Sequence, residues 1–139
     1  MFELSVIANN MIKLVSSSAI EEIIWRSGYF DEVEDISRQI NAENTMVFDV
    51  FVNLHQICDI FQTDVRLRNA QMDKEEPEVI PNDVEKQIET YFDFVLEDIC
   101  VLIREELGIQ MVTADYKSSY SGEGAFGLIY IYFGNQYLH

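Results

Sequence analysis

One stretch, residues 82–107 (NDVEKQIETYFDFVLEDICVLIREEL), limits what this chain can fold into. Its ends are marked. Asn82 follows Pro81 and precedes Glu85 by three residues, the spacing of an N-cap with a reciprocating carboxylate, and Gly108 offers the left-handed position that closes helices. Between these signals Val84, Ile88, Tyr91, Val95, Ile99 and Leu102 recur at steps of three and four, with Phe92, Leu96, Cys100 and Ile103 as a second row. A helix with so wide an apolar face must be covered by other elements, which places it in a core.

The opposite face carries Glu85, Glu89, Asp93 and Glu97 at successive i, i+4 positions. Side chains so spaced are neighbours on a helix, and each like-charged pair costs about 0.2–0.5 kcal/mol. Helix stability gives no reason for the row, and Lys86 relieves only part of the repulsion. At a rise of about 1.5 Å per residue the carboxylates follow one another at intervals of about 6 Å. Such a negative ridge suits an Arg- or Lys-rich groove that otherwise holds phosphates.

Length and charge extend the argument. The chain has 139 residues, 48% of them hydrophobic, which is enough for one core, and a single acidic domain over 1–139 is expected. Against 25 acidic residues stand 9 basic ones, a formal net charge of −16. Free nucleic acid and anionic membranes are repelled by such a chain, and the partner it favours is a basic protein. Residues 1–15 lack the basic start of a secretory signal, and no apolar run reaches the length of a membrane span, so a cytoplasmic protein is expected.

Ahead of the long helix, apolar residues at helical spacing predict further helices. Leu4, Ile7, Ala8, Met11, Ile12 and Val15 predict a first one, and any of Ser16–Ser18 can cap a second, Ser18 with Glu21 making a capping-box pattern, in which Trp25 is a core anchor. Tyr29, Phe30, Val33, Ile36 and Ile40 predict a third. Residues 46–68 predict a fourth, although 46–52 are also rich in β-formers. The stretch 71–81, with both prolines, reads as an exposed connection. After Gly108 the period becomes two, predicting strands near 109–114 and 127–134 joined by a mobile Ser/Gly-rich linker. The expected class is α+β: predominantly helical over 3–107, with four or five helices and a C-terminal antiparallel β-hairpin over 109–133.

Besides Glu85, Glu89, Asp93 and Glu97, the acidic group Asp31, Glu32, Glu34 and Asp35 is a second candidate contact, gaining weight if the fold sets it beside the long row. Tyr116, Tyr120 and Phe126 offer aromatic anchors around the hairpin tip, with Tyr120 the chosen one. His55 and Cys58 stand at i, i+3, and Cys100 would approach if their helices pack, but two histidines and no CxxC or HExxH make a poor metal set. No phosphate loop, nucleophile elbow or triad spacing is present, so no catalytic residue and no cofactor are assigned. The expected function is a small acidic inhibitor that occupies a basic, nucleic-acid-binding surface of a partner, as phage anti-defence and bacterial immunity proteins do. The alternatives are a subunit of a hetero- or homo-oligomer assembled through the apolar C-terminal hairpin and, third, a small metal-dependent enzyme using His55.

Overall fold

The computed structural model describes residues 2–63, 84–121 and 123–134, without the side chains of Cys58, Val84 and residues 60–63. Among the described residues the order is β1 (Glu3–Ala8), β2 (Met11–Ser16), α1 (Ser17–Arg26), β3 (Glu32–Asp35), α2 (Ser37–Ile40), β4 (Thr45–Asn53), α3 (Leu54–Thr63), α4 (Val84–Leu107), β5 (Val112–Ser121) and β6 (Gly124–Phe133). The strands form two antiparallel sheets, β1-β2 and β3-β4-β6-β5. The class is α+β, but the expected predominance of helix is wrong: strands take as large a part as helices.

Each correction has a local cause. The expected first helix is the β1-β2 hairpin, reversed at Asn9 and Asn10, whose φ values of 54° and 65° supply the two left-handed residues of a type I′ turn. All six apolar residues satisfy helical steps, yet Leu4, Ala8, Met11 and Val15 share one face of the hairpin while Ile7 and Ile12 pair on the other. The third expected helix is instead β3, paired with β4 through Val33 and Val50, followed by the short α2. Residues 46–68 divide at Asn53, whose side-chain oxygen accepts the His55 N–H at 2.9 Å and so caps α3 after β4 has ended. Residues 64–68, the connection 71–81 and the Asn82 cap lie outside the described residues. Of the three serines expected to cap α1 it is Ser16 that does so, accepting from the Ala19 N–H at 3.2 Å, while the Ser18–Glu21 capping box does not form and Trp25 is 56% exposed rather than a core anchor. Of the linker expected at 115–126, residues 115–121 and 124–126 are strand: β5 and β6 stay in register through Ser118↔Gly127 to Ser121↔Gly124.

α4 follows its sequence. Ile88, Tyr91, Phe92, Val95, Leu96, Ile99, Cys100 and Ile103 are buried. Gly108 ends the helix at φ 71°, its N–H donating to Arg104 O at 3.0 Å, and a Cβ there would lie 2.4 Å from the Asn9 amide. The glycine thereby seats the first hairpin's turn on the helix end. The central strands β4 and β6 contribute Phe48, Val50, Ile129 and Ile131 to one core with Ile20 and Ile24 of α1, Ile57 of α3 and the buried row of α4. Gly127 on β6 leaves room for the Phe92 ring, which an added Cβ would meet at 2.8 Å. Among the described residues no helix is long and apolar enough to cross a membrane.

Candidate functional site

β5 is an outer strand of the four-stranded sheet, and α4 runs beside it. Two cavities lie along this seam. One, of about 290 Å³, is lined by Asp93, Glu97 and Arg104 of α4 and by Thr113, Asp115 and Tyr116 of β5. The other, of about 320 Å³, lies between Glu85 and Glu89 of α4 and Ser118, Ser119 and Tyr120 of β5. The predicted row therefore lies along the seam, Asp93 and Glu97 at one cavity and Glu85, Glu89 and Tyr120 at the other, and all five side chains are exposed. Asp115, which sequence reasoning did not single out, adds a carboxylate from the strand side.

The two walls are held together by specific contacts. The Tyr116 ring stacks on Phe92 with centroids 5.0 Å apart, and its hydroxyl donates to Glu89 O at 3.3 Å. Burial, followed by the charges of Asp93, Glu89 and Asp115, pushes this phenol well above its ordinary pKa. Arg104 Nη2 donates to Val112 O at 3.1 Å and fixes the start of β5 against the helix. On the other flank of α4, carboxylates serve the fold: Glu106 pairs with Arg26 at 2.7 Å, and Asp98 accepts the Tyr29 hydroxyl. Tyr91, buried beneath, donates to Tyr29 O.

The second acidic group is not brought to this groove, because β3 and β5 occupy opposite edges of the sheet. Two of its members act locally. Asp35 accepts from the Ser37 N–H at 3.0 Å and from the Ser17 hydroxyl at 2.5 Å, while its own N–H donates to Glu21. Asp31 accepts from the Asn53 N–H at 2.7 Å. Glu32 and Glu34 remain exposed on β3, with Glu34 opposite Asp49.

His55 stands exposed at the start of α3, and Cys100 is buried, its thiol pushed upward in pKa mainly by that burial. The Cys58 side chain lies outside the described residues. Among the described residues no three His, Cys, Asp or Glu side chains gather as a metal set.

Sequence reasoning missed one further surface. The β1-β2 hairpin exposes Met11, Ile12 and Leu14 at 71%, 80% and 60%, with Ile7 opposite Ile12 in the pairing. The signal that would have found it is the Asn-Asn pair between two β-capable runs. No family model, no curated protein and no solved structure matches this chain, so its own geometry carries the functional reading.

Proposed function

We propose that this chain is a small acidic binding protein that occupies a basic, nucleic-acid-binding surface of a partner protein and so inhibits it. The observation that supports this most is the placement of Glu85, Glu89, Asp93 and Glu97 in one exposed row along the α4-β5 groove. Their mutual repulsion is a folding cost that a cationic partner turns into attraction. A chain of net charge −16 is steered toward such a partner and away from nucleic acid itself. The reading takes the protein as cytoplasmic, where nucleic-acid-processing proteins of this kind are met.

The test is competition. Labelled duplex DNA is bound to each of a panel of basic nucleic-acid-processing proteins, and this chain is titrated in while anisotropy is followed. Displacement of DNA from at least one of them, lost when Glu89 and Glu97 are both replaced by Gln, is the expected result. Failure to displace DNA from any, or displacement that the double variant retains, counts against the reading.

A second reading, an assembly subunit, is favoured by a different surface from the C-terminal hairpin first considered. Ile129, Ile131 and Phe133 of that hairpin are buried in the chain's own core, whereas Met11, Ile12 and Leu14 of the first hairpin are exposed. Concentration-dependent sedimentation abolished by Ile12→Ser and Leu14→Ser would support it, and a monomer at all concentrations would speak against self-assembly.

A further inference from the structure

The free edge of β5 says how a basic partner would be held. In an antiparallel strand alternate residues turn their peptide groups toward the neighbour and away from it. Arg104 bonds Val112 O, and the Asp115 carboxylate bonds the Tyr116 N–H at 2.8 Å, so Val112 and Tyr116 belong to the set that turns away from β6. Ala114, Ser118 and Tyr120 share that parity. Their outward N–H and C=O groups make no hydrogen bond among the described residues, and Ser118 and Tyr120 are exposed. An edge open at Ala114, Ser118 and Tyr120, and closed at Val112 O and the Tyr116 N–H only by side chains, is a template for an added strand that displaces the Asp115 carboxylate.

The carboxylates of α4 decide which strand. Alternate side chains of an extended chain lie about 6.6–6.8 Å apart, close to the spacing of about 6 Å between successive carboxylates of the row. We infer that β5 takes an extended Lys/Arg-rich segment of the partner as a fifth strand, its alternate basic side chains meeting Glu89, Asp93 and Glu97. This rests on the reading of the row as a contact for basic proteins. A second copy of the chain is a poor occupant, since both would bring a net charge of −16 to the same edge.

The experiment uses the full chain and a labelled peptide of about nine residues alternating Lys and Thr, long enough to span the edge, with anisotropy read at low salt. A second peptide has the same sequence with its backbone N–H groups methylated at alternate positions, which keeps every charge and removes the donors to the β5 carbonyls. Expected is binding of the first peptide and about tenfold weaker binding of the second. Ser118→Pro, which places a ring at the free edge where proline is tolerated, should weaken the first peptide similarly while the circular dichroism spectrum stays that of the parent. Equal binding of both peptides overturns the added strand but leaves the acidic contact standing. Binding of neither overturns the contact itself and the added strand with it.

Discussion

Two acidic stretches of similar composition have different fates. At Asp31–Asp35 the chain passes from a loop through β3 into α2, a place where peptide N–H groups and a buried hydroxyl lack regular partners. Asp31 and Asp35 supply them, accepting from Asn53, Ser37 and Ser17. On α4 the backbone donors past the first turn are already bonded within the helix, so its outer carboxylates act across it on other elements, as Asp93 does on the Tyr116 hydroxyl. Carboxylates at the junction close bonds to the backbone beside them, whereas those of the row line the seam between α4 and β5. That difference, rather than the number of acids, selects Glu85–Glu97 over Asp31–Asp35 as the contact.

The largest effect should come from the junction. Asp35→Ala strips partners from the Ser17 hydroxyl and the Ser37 N–H, both in residues that are 1% exposed, and should cost about 2–3 kcal/mol in urea unfolding. A loss below about 0.5 kcal/mol would erase the contrast between the two stretches. Glu89→Lys should act in the opposite direction. It converts repulsions with Glu85 and Asp93 into attractions and should stabilise by about 0.8–2 kcal/mol. Destabilisation of a similar size would mean that Glu89 serves the fold after all.

The smallest effect is spectroscopic. The Tyr116 phenol titrates well above its ordinary value of about 10, through burial first and then the surrounding carboxylates. A folded-state pKa raised in this way gives stability that is complete below pH of about 10 and lost as the pH rises toward the folded value. Glu89→Lys replaces one of those charges and should lower the midpoint of Tyr116 in a tyrosinate absorbance titration. Tyr91, also raised but with burial as its largest cause and no α4 carboxylate among the charges acting on it, should keep its midpoint. Equal shifts at both tyrosines would show that the substitution loosens the fold rather than altering the potential in the groove.

Legibility in the sequence followed the same division between local and non-local causes. α4 could be read because its apolar rows and Gly108 are all signals within one segment, and the β-rich apolar run 128–133 enclosed by Gly127 and Gly134 revealed β6. The first hairpin could not be read from periodicity, since its apolar positions keep helical steps and fall on both faces of the two strands, and only the Asn9-Asn10 pair discriminates. β4 and α3 merged into one expected helix because apolar residues recur on both sides of Asn53, whose capping role depends on where the backbone turns. The α4 row was legible as a charged face. Its position against β5, the free edge of that strand, and the part played by Asp115 and Tyr116 were not, because strand order is set by pairings between residues distant in the chain.

The most direct measurement compares two substitutions of equal charge. Glu89→Lys on the row and Glu34→Lys on β3 both replace an exposed glutamate, so each changes the net charge by the same amount. Affinity for one Lys-rich peptide is measured by anisotropy at matched salt, after both variants are shown to be folded. The account predicts at least about tenfold weaker binding for Glu89→Lys and affinity close to the parent for Glu34→Lys. Equal losses in the two variants would contradict it, because the peptide would then be sensing net charge and not the α4-β5 groove.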